Sequence, residues 1–179
     1  GSTRNSNTQK KINFIHKISD LYLFEVIGND QIKTNWSENF QDKNYDIKDY
    51  SINPKLTYFS GENNRINFIY KLSNVSNLIG NQEYLTQPNF GISLFLNQKE
   101  KRGFISEFNY YKNEFSGELN SIISYVMMNG LQKGENYTWS LKFQRKLSKL
   151  LDINFIYLGR KSNSLRTIHN GSIQLKAIF

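Results

Sequence analysis

The feature that most restricts this chain is an apolar–polar alternation with a period of two, repeated in segment after segment from about residue 66 onward. "RINFIYKLS" sets Ile66, Phe68, Tyr70 and Leu72 against Asn67, Lys71 and Ser73. "NFGISLFLN" keeps Phe90, Ile92, Leu94 and Leu96 in step, and "RGFISEFNYY" does so with Phe104, Phe108 and Tyr110. Successive side chains of a strand point to opposite faces, so this spacing specifies strands with one apolar face and excludes amphipathic helices. "NYTWSLKFQRKL" alternates Tyr137, Trp139, Leu141 and Phe143 against Thr138, Ser140, Lys142 and Gln144. "LDINFIYLG" alternates Leu151, Ile153, Phe155 and Tyr157 against Asp152, Asn154, Ile156 and Leu158. The pattern runs to the last residue, with Ile173, Leu175, Ala177 and Phe179 in register, although the termini of soluble domains usually fray.

Composition narrows the setting of these strands. Phe and Tyr supply most of a 15% aromatic content, which suits pleated surfaces. A mean hydropathy of −0.59, with no apolar run long enough for a spanning helix, excludes helical membrane proteins. It does not exclude a transmembrane β-barrel, whose strands alternate lipid-facing and lumen-facing residues. The absence of cysteine removes disulfides, thiolate metal sites and Cys nucleophiles. The net charge of +8 is spread through turns such as "NQKEKRG" and "RKLSK" rather than gathered on one face, so nucleic acid is not an expected partner. "GSTRNSNTQKK" has no apolar core of a signal peptide, and its opening Gly1-Ser2 suggests a processed or excised piece.

The expected organisation has two parts. Residues 66–179 form antiparallel barrel strands ending in a carboxy-terminal outer-membrane signal. Residues 1–65 form an irregular segment holding two strands, "KKINFIHKIS" and "DLYLFEVIG", followed by a polar connection that ends near Pro54 and contains no strand. The tight "KLSKL" connection followed by the long polar "GRKSNSLRTIHNG" matches the asymmetry of outer-membrane barrels. The fold expected is therefore all-β, an antiparallel up-and-down transmembrane β-barrel or the carboxy-terminal strands of a larger one. The competing architecture is a soluble secreted β-sandwich or lipocalin-like module that binds glycan or a small apolar ligand.

The stretch from Met127 to Phe179, with NGLxxGxNYTW, then YxGRKS, then IHxG, then an alternating strand ending in Phe, resembles the carboxy-terminal region of large, uncharacterised outer-membrane barrel proteins of Bacteroidota. The resemblance implies a closed antiparallel barrel larger than this chain, in the bacterial outer membrane, and no assigned chemistry. The final strand also resembles the recognition signal of outer-membrane barrels, in which the barrel assembly machinery reads Phe179, Leu175 and Ile173; Ala177 departs from that pattern by its size.

The membrane-facing set is Trp139, Phe143, Phe155, Tyr157, Ile173, Leu175 and Phe179, and the lumen-facing polar set is Ser140, Lys142, Gln144, Asn154, Gln174 and Lys176. Catalytic residues, cofactors and metals are not expected. The two histidines, His16 and His169, lie far apart without ligand spacing, and an outer-membrane enzyme would need a Ser/His or Asp/His constellation on surface loops. Asp42, Asn44, Asp46 and Asp49 alternate like a calcium loop but lack its sixth-position Gly and twelfth-position Glu. "GRKS" reads as a solvated charged loop and "MNGLQKG" as a turn. The expected role is a non-enzymatic outer-membrane component in structure, transport or envelope assembly. Its expected partners are outer-membrane lipid, lipopolysaccharide, the barrel assembly machinery and other chains or segments of a larger envelope complex.

Overall fold

A computed structural model describes residues 2–80, 82–98, 102–148, 150–163 and 165–177. The alternating segments become nine strands: β1 (Thr3–Lys17), β2 (Tyr22–Ser37), β3 (Tyr45–Phe59), β4 (Asn64–Asn77), β5 (Tyr84–Gln98), β6 (Arg102–Ser116), β7 (Gly134–Ser148), β8 (Leu151–Ser162) and β9 (Ile168–Ala177). They form one sheet in sequence order, every neighbouring pair antiparallel, which is the up-and-down arrangement. Among the described residues, a 3-10 turn (Gln41–Lys43) and one short helix, α1 (Ile122–Met127), interrupt the connections. The connections at one end are two to four residues long, whereas those at the other end run from five to seventeen.

Residues 1–65 differ from the irregular segment expected of them. They supply β1, β2, β3 and the start of β4, all in the common sheet. The polar stretch after Gly28 continues β2 to Ser37, and β3 passes straight through Pro54. Proline lacks an N–H, but that group would have pointed to only one neighbour. The β2 side of the ladder accordingly retains Val26 opposite Pro54, while the β4 side loses its pairing at Asn53 and Pro54. Pro88 behaves alike, paired with Leu72 on β4 and interrupting the ladder to β6. Each proline thus interrupts the ladder on one side of its strand for two residues, and the strand survives.

Cross-strand register decides which residues share a face. Starting from Trp139, the partners Phe108, Ile92, Phe68 and Leu56 fall on one face of successive strands, and Ser140, Glu107, Ser93, Asn67 and Thr57 on the other. Among the described residues, every nearly inaccessible strand residue lies on the second, inner face, with Gly159 the one exception beneath the Trp139 ring. The outer face is apolar and open: Phe14 is 59% exposed, Phe90 55% and Leu175 63%. A sandwich would cover that face with a second sheet, and a lipocalin-like module would turn its apolar side inward. The described residues form a single sheet with its polar side inward, which departs from both of those architectures.

The apolar core is confined to one place. Ile47, Val75, Leu85 and Phe115, all on the inner face at the end with long connections, surround Met127 and Met128 of the β6–β7 connection. That connection therefore folds back onto the sheet instead of projecting from it.

Candidate functional site

The inner face is the surface on which polar chemistry is concentrated, and hydrogen bonds tie its side chains into transverse rows. Thr57 Oγ1 donates to Asn67 Oδ1 (2.8 Å), and Asn67 Nδ2 donates to Ser93 Oγ (2.7 Å), a row that crosses β3, β4 and β5. Gln87 Nε2 donates to Asn113 Oδ1 (2.7 Å), whose Nδ2 donates in turn to the Gln132 carbonyl (2.9 Å). Lys55 and Glu25 form an ion pair between β3 and β2. Several inner-face oxygens, those of Asp49, Asn53, Ser73, Asn89 and Ser140 among them, are buried without a hydrogen-bond partner in the protein. Buried polar atoms are seldom left unsatisfied, so these groups suit a hydrated interior far better than a dry core.

Spaces open on this face at both ends. Near the short connections a groove of about 540 Å³ is lined by Phe95, Lys142, Gln144, Asp152, Asn154 and Gln174. At the other end a cleft of only about 30 Å³ separates the sheet from the β6–β7 connection, with Lys33, Asp49, Lys71 and Ser73 on one side and Met127 on the other. The inner surface thus narrows from the groove toward the inturned connection. Ser121 caps α1, its Oγ accepting from the Ser124 N–H (3.0 Å), and Gly130 ends the turn at φ +73°, a conformation that costs a side-chain-bearing residue more. The "MNGLQKG" stretch is a turn leading into β7 at Gly134, as its glycines indicated, and the helix just before it, α1, is the element the sequence reading did not include. Its signal was present: Ser121, then Ile122, Ile123, Val126 and Met127 at helical spacing, then Gly130.

The register brings the sequence-derived sets together. Ser140, Lys142, Gln144, Asn154, Gln174 and Lys176 share the inner face, with Gln144 opposite Asn154, Asn154 opposite Gln174 and Asp152 opposite Lys176. Trp139, Phe143, Phe155, Tyr157, Ile173 and Leu175 share the outer face, with Phe143 opposite Phe155 and Phe155 opposite Ile173. Phe179 lies outside the described residues.

Aromatic residues form rows on the outer face that single segments could not reveal. Tyr70, Phe90, Tyr110 and Tyr137 are direct cross-strand neighbours on β4 to β7, with ring centroids 4.8 Å apart at Tyr70–Phe90 and 5.3 Å at Tyr110–Tyr137. Toward the short connections, Phe104, Phe143 and Phe155 line up across β6 to β8, and Tyr22 meets Tyr58 at 5.2 Å. Lys112 and Glu135 follow immediately beyond the first row, Lys161 stands opposite Tyr137 at its end, and Lys48 lies farther out toward the long connections. On β3 the apolar stretch from Tyr50 to Tyr58 measures about 27 Å along the strand at 3.3–3.4 Å per residue. Tilted by about 40°, it rises about 20 Å, close to the height of the apolar band on membrane barrels.

The other sequence candidates disperse. His16 stands on edge strand β1 near the short connections, and His169 stands on β9 near the long ones. His169 Nδ1 is 2.7 Å from the Tyr157 hydroxyl, with the two rings stacked at 14°, so the ring is held structurally. Asp46 and Asp49 fall on opposite faces of β3, and Asn44 is occupied by the Ser37 backbone, accepting from its N–H (2.7 Å). Among the described residues no His, Cys, Asp and Glu group could hold a metal ion. "GRKS" is not a loop; it is the end of β8, with Arg160 and Lys161 on opposite faces.

No protein-family model and no curated protein matches the chain. Among solved structures, it is similar to outer-membrane expressed OmpT of Vibrio cholerae, with a TM-score of 0.65 and 9% sequence identity over 96% of this chain and 56% of that one. The chain thus spans about half the length of this neighbour, and the likeness is one of fold: an all-β, antiparallel up-and-down outer-membrane barrel architecture.

Proposed function

We propose that the chain is part of the wall of a bacterial outer-membrane β-barrel that lines a water-filled passage, a non-enzymatic component serving solute transport and envelope structure. The observation that carries this reading is the segregation of side chains across one sheet. An exposed apolar belt bordered by aromatic rows covers one face, and hydrogen-bonded polar rows with unpartnered buried oxygens cover the other. In water such a belt is a large uncovered apolar surface; in hydrocarbon it is the favoured contact. A sheet closed by further strands would also satisfy the backbone polar groups that lipid cannot.

Each element has a place in this arrangement. The aromatic row at Tyr70, Phe90, Tyr110 and Tyr137 sits at the headgroup level, where amphipathic rings are favoured. The longer connections face outward from the cell, and Lys161 at the end of that row, with Lys112 and Lys48 beyond it, meets lipopolysaccharide phosphates. Lys142, Gln144, Asn154 and Gln174 offer donors and acceptors to solutes in the groove, and the connection carrying Met127 and Met128 narrows the passage at its outer end. Ile173, Leu175 and Phe179 are read by the barrel assembly machinery, and further segments of the envelope assembly complete the wall.

The test is extraction and gel mobility. The protein should require detergent for release from membranes and should migrate differently in boiled and unboiled samples. A monodisperse protein in detergent-free buffer at ordinary salt ends the proposal.

A further inference from the structure

Both borders of the sheet are bare. Among the described residues β1 pairs only with β2 and β9 only with β8, and all residues of both strands are exposed. Edge strands that are meant to remain free are shortened, bulged, blunted with proline or lined with charge; of these devices β1 and β9 carry only charge, at Arg4, Lys10, Lys11, Lys17 and Lys176. β1 is fifteen residues long, neither strand contains proline, and both pair with their single neighbours in unbroken register. The apolar belt also continues to the very border, at Ile12 and Phe14 on one side and Ile173 and Leu175 on the other. These edges have the character of interior strands whose neighbours are missing, and unpaired backbone groups cannot be left in hydrocarbon.

Strand direction limits what can fill the gap. With nine strands alternating in direction, β1 and β9 both run from the long-connection end to the short-connection end. Closing the sheet on itself would therefore set β1 and β9 parallel, which departs from the antiparallel closure of bacterial outer-membrane barrels. A second copy the same way up in the membrane fares no better, because its β1 would again lie parallel to β9. An antiparallel contact at both borders needs an odd number of intervening strands. Nine strands over 56% of the neighbour's length correspond to about sixteen over the whole, an even total.

We infer that the barrel is completed by an odd number of further strands, about seven, that enter antiparallel beside β1 and leave antiparallel beside β9. This rests on the outer-membrane reading above and deepens it: the chain supplies slightly more than half the wall, and neither self-closure nor a pair of identical copies makes the passage.

The inference is tested by cysteine cross-linking in the native outer membrane, with a short bismaleimide as the probe. Gln9→Cys with Gln31→Cys, direct partners across β1 and β2 on the inner face, is the control and should link. Gln9→Cys combined in turn with Ser172→Cys, Gln174→Cys or Lys176→Cys, all on the inner face of β9, should not link. In parallel, deuterium exchange should show β1 and β9 protected in the native assembly but open at their outer edges in the 179-residue chain alone in detergent. A β1–β9 link within one chain overturns the inference by self-closure, and a link between two copies overturns it by dimerisation. Full protection of both edges in the isolated chain overturns it as well. Any of these results leaves the outer-membrane reading standing, whereas release of the protein without detergent removes that reading regardless of the cross-links.

Discussion

Placing one arginine on each face of a single strand separates the two sides energetically. Leu141 and Gln144 lie three residues apart on β7, Leu141 on the outer face between Ser106 and Tyr157 and Gln144 on the inner face between Gly103 and Asn154. The apolar stretch on β7 from Tyr137 to Phe143 is about 20 Å long at 3.3–3.4 Å per residue. Leu141 sits about 7 Å from one end of it and about 13 Å from the other, in its middle third. Arginine at the midplane of a barrel's lipid face costs about 2–4 kcal/mol. Leu141→Arg should therefore lower the folding equilibrium about 100-fold, at 1.4 kcal/mol per factor of ten. Gln144→Arg projects into the hydrated groove beside Lys142 and Lys146, where like-charge repulsion in a high dielectric costs about 0.5 kcal/mol. The assay is denaturant unfolding of the lipid-reconstituted protein, followed by the fluorescence of Trp36 and Trp139, both on the outer face. Equal costs for the two arginines, or a larger cost at Gln144, would refute the assignment of faces.

Gly159→Val should destabilise by about 1–3 kcal/mol, typical of overpacking, because a Cβ there runs into the Trp139 ring; a Trp139→Ala background should relieve most of that penalty in the same unfolding assay. Replacing Met127 and Met128 together with alanine should release the β6–β7 connection from Ile47, Val75, Leu85 and Phe115, read as new proteolytic cleavage within 117–133 with the strands still protected; unchanged resistance would show that the apolar contacts do not hold it. In the β1–β2 turn, the hydrogen bond and charge of Lys17 (2.5 Å) hold the Asp20 carboxyl below its ordinary value of 3.8. A depressed folded value stabilises the turn above the unfolded value and loses that contribution as pH falls through the folded one. The protection of the Leu21 and Tyr22 amides, taken relative to their intrinsic exchange rates, should accordingly fall below about pH 4, and Asp20→Asn should flatten that dependence.

Much of the architecture is written locally. The period of two in residues 66–179 specified strands, their apolar faces and the tight turns between them, because a pleated backbone sends alternate side chains to opposite sides whatever surrounds it. The split between Trp139, Phe155 and Leu175 on one side and Lys142, Asn154 and Gln174 on the other follows from that geometry alone. The polar run from Asn29 to Pro54 was illegible for the complementary reason. Asn29, Lys33, Asp49 and Asn53 face a wet interior, so their strands lack the contrast by which a half-buried strand is recognised.

Tertiary structure decided what requires more than one segment. Cross-strand register assembled Tyr70, Phe90, Tyr110 and Tyr137 into a row, since residues up to about seventy positions apart become neighbours only through the ladder. It also turned the Met127–Met128 connection inward, where four strands together offer the apolar pocket that none of them offers alone. The open borders belong to the same level: whether β1 and β9 can meet depends on the parity and direction of all nine strands, a global property that no single strand carries.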